Sequence, residues 1–530
     1  MKEPMALDEM KDLNQKWMWF SGFAAVFAVL AGIVFWGAWS TDFAPVMPDD
    51  AITHPTSAAG VWADYFRNVF TTFKVVPTDI LWSGLLVSPY FCQELKYAFG
   101  LFCAAWGLAY FLRGRGLSPL ASYGAGLLLG FCGYWCTLFS AGHGGWFIWM
   151  TYGIFAFGFA DRAVRGNRLR HWILLGVFVA WAGYYQQDLW LLFSVFTAAY
   201  FIWCCVRERK LPWKGALIAL ATFAVVLAPS ISSSLGALKG RQEQMAKGEN
   251  VTDKKASESD KSWEFVTNWS MPPEDTLEFF IPRVHGDTSC PFVLSINGPK
   301  GVRPYTGALG RPMNAKQGNY RQHSLYVGWI TCLLSFLGII SVVLSRLAQS
   351  PNHPITQSPI HPIIQSPNQD ILFFFVASLV FYLLSLGRYF EPAYRVVFAL
   401  PFGDLIRCPV KWHHLTELSL CVLAGFGIET LISILSRVSR LKSFALPLVG
   451  VVVLWGAVDL ATEAHRFCAP VNVAPARRMN ASMQMTVLQR QQFQNPQVDA
   501  MRRAGRIVSL ANYLGNPDYF LVGVLEPRKQ

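Results

Sequence analysis

A chain of 530 residues, 53% of them hydrophobic and 15% aromatic, carries only 15% Asp, Glu, Lys and Arg, against roughly 25% in an ordinary soluble domain. Its formal net charge of +12 lies in short clusters between apolar runs, which argues against a nucleic-acid partner and for a polytopic membrane protein. The eleven cysteines are scattered without zinc-ligand spacing and read as apolar side chains.

A bilayer's hydrocarbon core of about 30 Å asks for about twenty apolar residues in helical form. The first such run, residues 17–39, has no charge and a tryptophan at each end, as an interfacial belt requires. No small-x-small cleavage site follows it, so it reads as a retained helix and not a signal peptide. Further runs follow at 97–112, 118–139, 146–160, 172–186, 189–206, 215–227, 325–344, 371–386, 415–435 and 445–460, giving about eleven spans in a membrane domain of residues 1–460. Basic clusters separate them: Arg113 and Arg115; Arg162, Arg165, Arg168 and Arg170; Arg207, Arg209, Lys210 and Lys214; Arg437, Arg440 and Lys442. The positive-inside rule places all of these in the cytoplasm. Residues 172–206 are flanked by such clusters on both sides, so the segment crosses twice, with Tyr184 to Asp188 as the outer turn.

That count puts the N-terminus inside and the C-terminus outside. The large outer loops are then 40–96, 230–324 and 387–414, followed by an exoplasmic tail, 461–530. Short helices are expected within the loops at 59–73 and 273–280, and the first two loops are expected to pack together. Residues 239–264 are polar and of mixed charge and read as a mobile stretch. Residues 349–369 repeat a Gln-Ser-Pro unit and form a Pro-rich cytoplasmic insert. In the tail, RIVSLANYL and YFLVGVL flank Gly515-Asn516-Pro517-Asp518, the pattern of a β-hairpin.

Nucleotide-binding, metalloprotease and serine-hydrolase motifs are absent, so any chemistry falls to polar residues at the outer membrane face. Asp42 follows the first span by three residues; it is either a solvated helix-end carboxylate or a functional one. His143 sits in Ala141-Gly142-His143-Gly144-Gly145, where small neighbours allow close approach, or simply a tight turn. Asp188 reads as an N-cap or a site carboxylate. The amphipathic hairpin 387–414 carries Arg388, Arg395, Arg407, Lys411, His413 and His414. Positive charge on the outer side runs against the usual bias; it serves either to hold an anionic lipid phosphate or to snorkel at the interface.

Several stretches in order resemble the YfhO-like bacterial membrane proteins, whose architecture is similar to the GT-C glycosyltransferases. They are Asp42 after the first span, Pro77-Thr78-Asp79-Ile80-Leu81-Trp82-Ser83-Gly84, Ser140 to Gly145, Trp269 to Gly286, Leu384 to Arg388, Phe402-Gly403, Arg407-Cys408-Pro409 and Leu423 to Gly427. The tail is shorter than is usual in that family. The resemblance implies an all-α, GT-C-like fold in a bacterial inner membrane. It implies transfer of a sugar from a polyprenyl-phosphate carrier to an envelope glycan, lipid or protein acceptor. Asp42 would be the base, with His143, Asp188 and Glu274 as secondary candidates. Arg407 and Lys411, with Arg388 and Arg395, would hold the lipid phosphate. No metal-ligand cluster is visible, and dependence on a divalent cation stays open. A lipid or polysaccharide transporter and a non-catalytic envelope scaffold are the competing classes. A transporter calls for ionisable residues or broken helices near mid-membrane.

Overall fold

The computed structural model describes residues 7–36, 43–44, 54–55, 89–138, 146–184, 187–246, 263–287, 303–308, 324–348, 367–400, 406–468, 471–472 and 506–507. In chain order the helices are α1 (Leu7–Val34), α2 (Pro89–Gly114), α3 (Pro119–Phe131), α4 (Gly133–Thr137), α5 (Phe147–Gly166), α6 (Leu169–Ala182), α7 (Gln187–Glu208), α8 (Trp213–Ala246), the single turn α9 (Trp263–Val266), α10 (Trp329–Ala348), α11 (Pro367–Ser385), α12 (Glu391–Ala399), α13 (His413–Arg437) and α14 (Ala445–Cys468). Each apolar stretch coincides with helix. By length and apolarity alone, Asn14–Val34, Leu95–Gly114, Leu189–Glu208, Pro409–Arg437 and Lys442–Cys468 can cross a bilayer, and the pair Gln369–Ser385 and Gly387–Ala399, bent by 111°, adds a sixth. The chain is therefore a helical membrane protein with several apolar helices of spanning length.

Local chemistry sets the breaks. Ser118 caps α3 by accepting the Ala121 amide at 3.3 Å, with Pro119 at the first helical position. Asn167 ends α5 in the left-handed region at φ 43° and accepts the Trp172 indole N–H at 3.0 Å, which turns the chain into α6. The stretch 172–206 divides into α6 and α7, as its flanking charges require. The run 118–139 is not one helix. It stops at Cys132, where the amide of Gly133 bonds to the Tyr326 carbonyl at 2.8 Å.

Two stretches differ in local structure from the expectation. Helix α8 continues past Pro229 to Ala246, so the stretch after the seventh apolar run begins as helix. Beyond the proline the sequence supplies Leu, Ala, Gln, Glu and Met, all good helix formers. The hairpin expected in the tail has a different partner where it is described. Arg506–Ile507 (β4) pairs with His54–Pro55 (β2), and Val471–Asn472 (β3) pairs with Phe43–Ala44 (β1), both antiparallel. The remainder of the hairpin, the short helix expected at 59–73, the packing of the two outer loops and the Pro-rich insert lie outside the described residues, apart from the insert's edge in α11. The helix expected at 273–280 is a 3-10 turn, Pro273–Phe279.

Helix α2 packs along α5 and α3, α5 along α6 and α7, and α13 along α10, α11 and α3; α14 lies between α1 and α3. The α10–α13 contact is close enough that a Cβ on Gly427 would collide with the Leu334 carbonyl. His465 Nδ1 on α14 reaches the Val34 carbonyl at 3.0 Å and ties α14 to the end of α1.

One end of the bundle is joined by charge. Asp161 near the end of α5 and Asp370 in the first turn of α11 are both 0% exposed. Arg115, just after α2, contacts Asp161 at 3.2 Å and Asp370 at 2.5 Å. Arg207, at the end of α7, contacts Asp161 at 3.0 Å and also pairs with Asp370. Arg165 adds a more exposed pair with Asp161. Each buried arginine therefore serves both carboxylates, and three segments with basic clusters that the positive-inside rule assigns to one side meet the start of α11 at one cluster. Removing one partner strands the others in a low-dielectric interior, which costs about 3–5 kcal/mol. Asp370→Asn should accordingly lower the detergent melting temperature markedly, whereas Arg165→Gln, at 34% side-chain exposure, should change it little. Equal melting of Asp370→Asn and the parent chain would show that the cluster is not a stabilising joint.

Candidate functional site

The opposite ends of α5 and α11 carry a different kind of assembly, held by main-chain hydrogen bonds. Residues 263–287 lie across the ends of α11, α13 and α14. The Met271 amide bonds to the Ser385 carbonyl at 3.0 Å, Cys408 to Val266 at 3.2 Å and Val410 to Trp269 at 3.2 Å. Thr276 Oγ1 and the Tyr382 hydroxyl are 2.9 Å apart. Arg283 pairs with Glu463 of α14 at 2.7 Å. Within this layer residues 303–308 are sewn to 274–287. Asp287 accepts the Arg303 amide at 2.6 Å, Thr306 donates to the His285 carbonyl at 2.7 Å, and the Tyr305 hydroxyl donates to the buried Asp275 at 3.0 Å.

The expected site residues fall unevenly on this surface. Asp42 and His143 lie outside the described residues, although their neighbours are placed. Phe43 and Ala44 pair with the start of the tail, and Trp146, three residues after His143, is buried against His414 with ring centroids 5.0 Å apart. Asp188 is the second residue of α7, so it sits in the first turn rather than at the N-cap position. Glu274 binds the Ala308 amide through its carboxylate, and its carbonyl accepts from His285 Nε2 at 3.1 Å; in this structure it is a tie within the loop.

The cations divide into two groups. Arg388 Nε donates to the Thr267 carbonyl at 3.1 Å, and another guanidinium nitrogen donates to Asn268 Oδ1 at 3.0 Å. Its own amide bonds to Ser270 Oγ at 3.1 Å. Arg388 is thus a clasp on the segment 263–287. Arg395 lies on α12, paired with Glu391 and 4.7 Å over the Trp263 ring. Arg407 and Lys411 stand on a rigid corner. The Ile406 carbonyl accepts the Tyr394 hydroxyl at 2.9 Å, and Cys408 takes the left-handed conformation at φ 62°. Arg407 is exposed from that corner, and Lys411 Nζ lies 6.0 Å from the Trp146 ring. The structure therefore brings Lys411 to Trp146, three residues after His143, while Arg388 and Glu274 are engaged in loop architecture.

Sequence reasoning passed over a fully buried carboxylate here, Glu417. Glu417 lies one turn into α13 from His413, with His413 Nε2 and Glu417 Oε1 3.3 Å apart and both residues 0% exposed. Oε1 also accepts the Tyr134 amide at 3.2 Å, at the start of α4. Phe279 covers His413 with ring centroids 4.6 Å apart. His414 is boxed by Tyr134, Trp146, Trp135 and Trp149, at 4.2, 5.0, 5.4 and 5.6 Å. The signal was a carboxylate inside an apolar run, four residues after a histidine.

Among the described residues no group of three or more His, Cys, Asp or Glu could hold a metal ion. No protein-family model matches the chain, and no curated protein shows significant similarity to it.

The clasp role of Arg388 is open to measurement. Arg388→Ala removes charge-assisted bonds worth about 1.5–3 kcal/mol each. It should speed exchange of the Met271 amide by about tenfold or more, while exchange within α5 stays unchanged. An unaltered Met271 amide would show that Arg388 does not hold this loop in place.

Proposed function

We propose that the chain is a GT-C-type membrane glycosyltransferase, similar to the YfhO-like proteins. It moves a sugar from a polyprenyl-phosphate carrier to an envelope glycan, lipid or protein acceptor at the outer face of a bacterial inner membrane. In this reading it crosses about eleven times, with the N-terminus cytoplasmic and the C-terminus exoplasmic. The observation that carries the reading is the asymmetry of the two ends of α5 and α11. One end is joined by the buried Arg115, Arg207, Asp161 and Asp370 cluster. The other presents Arg407 and Lys411 from a fixed corner beside the Trp146 end of the His143 turn. A protein that alternates access must part its inner ends and break those pairs at each cycle; a transferase working at one face keeps them closed.

The chemistry follows from these residue types. Asp42 accepts the acceptor hydroxyl proton as the new glycosidic bond forms. The carrier phosphate leaves with the electron pair of the broken C–O bond, and Arg407 and Lys411 answer its growing charge. The apolar surroundings keep water from competing. His143 and Asp188 remain secondary site residues, and a divalent cation could assist.

The direct test is transfer by the purified chain from a panel of polyprenyl-phosphate sugars. Asp42→Asn should cut turnover by roughly 10²–10⁴-fold while leaving the protein folded. Arg407→Ala should weaken donor binding and turnover together, because the phosphate is present in both ground and transition states. Near-normal transfer by folded Asp42→Asn would remove Asp42 as the base, and no transfer from any carrier would sink the reading.

Topology is separately testable. Membrane-impermeant thiol reagents applied from outside should label cysteines introduced near Asn250 and Gln494, and not those near Asn167 or Ser358. Outside labelling at Asn167 would invert the map and move the site to the wrong face.

A further inference from the structure

The 3-10 turn Pro273–Phe279 and the two residues after it carry an inverted amphipathic pattern. Leu277, Phe280 and Ile281 are 51–55% exposed, whereas Asp275 and Glu278 are each 1% exposed. The acids are engaged within the protein. Asp275 accepts the Tyr305 hydroxyl at 3.0 Å, and Glu274 binds the Ala308 amide. A loop resting on water sorts its residues the other way, with carboxylates out and large apolar side chains in. The main chain of the turn is also satisfied. The Phe280 and Ile281 amides bond to the Leu277 carbonyl at 3.2 and 3.0 Å, the Asp275 amide to the Pro272 carbonyl at 3.0 Å, and the Phe279 carbonyl accepts from the Cys332 thiol at 3.9 Å. A segment immersed in hydrocarbon must close its backbone in this way.

The depth of the turn follows from its neighbours. Helices α1 and α14 are both long and apolar enough to cross a bilayer. His465 of α14 is level with Val34, where α1 ends, through their 3.0 Å contact. The exposed Trp36 just beyond marks that level as the interface. Helix α10 begins much lower. A Cβ on Gly328 would touch the Leu460 side chain, and one on Gly456 would touch Ile330. Gly456 lies about two and a half helical turns before His465, about 13 Å along the axis at 1.5 Å per residue. A typical tilt of about 20° shortens that depth only slightly, and it falls inside a hydrocarbon core about 30 Å thick.

The turn meets α10 at this lower level. Cys332, which holds the Phe279 carbonyl, is in the first turn of α10, and Tyr382, whose hydroxyl is 2.9 Å from Thr276 Oγ1, is in the last turn of α11. The Phe279 ring lies against His413 at the start of α13. The turn is therefore wedged among helix ends and does not ride above them. The chain then climbs, and Arg283 reaches Glu463, close to the level of His465.

The exposed face continues that of the adjoining helices. On α10, Trp329, Leu333 and Phe336 are exposed at helical spacing, with Trp329 6.1 Å from the exposed Trp455 of α14. On α11, Leu379 and Val380 are exposed. We infer that residues 273–281 form a re-entrant element seated in the bilayer, with Leu277, Phe280 and Ile281 against phospholipid acyl chains between the ends of α10 and α11. This placement depends neither on the identity of the transferred group nor on which side is cytoplasmic.

Fluorescence quenching on the full-length protein in lipid nanodiscs tests it without any sugar donor. A genetically encoded fluorescent amino acid replaces Phe280 in one sample and Ile281 in another. The same label at Leu333 is the lipid reference, and at Arg303, exposed beside Arg283, the water reference. Phospholipid brominated along its acyl chains should quench positions 280 and 281 to within about twofold of Leu333, and aqueous iodide should quench them at least about fivefold less than Arg303. A label at Leu277 takes the place of either one that prevents folding. Iodide quenching equal to that at Arg303 would put the turn in water and overturn the inference. Protection from both quenchers would put protein over the face and overturn it equally. A chain inactive in sugar transfer but quenched by the brominated lipid keeps the inference and loses only the transferase reading.

Discussion

A charge withdrawn from water costs several kcal/mol unless another charge or dipole answers it, and the arrangement of this bundle follows from where each answer is found. Asp161 and Asp370 have no exposed surface, and two arginines bridge both of them. The pairs fix the axial positions of α2, α5, α7 and α11 relative to one another. A slide of one helical turn, about 5.4 Å, would pull a carboxylate out of reach of its guanidinium. Nearby, Arg162 lies 3.6 Å over the Tyr110 ring and donates to the Tyr110 carbonyl at 2.9 Å, which adds a second tie between α5 and α2.

The other end is built on different terms. There the segment 263–287 closes main-chain groups that the helix ends leave open, as in the Met271–Ser385 and Val410–Trp269 bonds. Such bonds hold a surface in place without a dense charge lattice. Arg388 is spent in this way on Thr267 and Asn268.

Most of the helices were legible because membrane helices advertise themselves by apolar length, and the division of 172–206 was legible because basic clusters flank it on both sides, which the positive-inside bias disfavours for a single crossing. Other features left no local trace. The four partners of the buried cluster come from four separate connections, so no spacing along the chain links Asp161 to Asp370. Asp161 directly follows the run 146–160 and reads as an ordinary helix-end carboxylate. The extension of α8 was hidden by Pro229, which usually marks a helix end. Glu417 was hidden by the opposite bias, since a lone carboxylate in a hydrophobic stretch does little to the run's average. For the site, Lys411 and the edge of the His143 turn were anticipated as outer-face features, and their proximity was not. Arg388 and Glu274 were recognisable as polar residues of the outer loops, but their partners required the fold.

The bond between the Gly133 amide and the Tyr326 carbonyl has a consequence for how the chain is made. Gly133 tolerates no side chain there, since a Cβ would lie 2.7 Å from that carbonyl. Ser324 likewise donates its amide to Thr137 at 2.8 Å. The break between α3 and α4 thus depends on a strip of backbone synthesised nearly two hundred residues later. At ribosomal rates of about 5–20 residues per second, that interval is on the order of ten seconds or more. Until the strip emerges, an early hairpin waits in the membrane with exposed amides, a state that invites a holding factor or a temporary partner within the nascent chain.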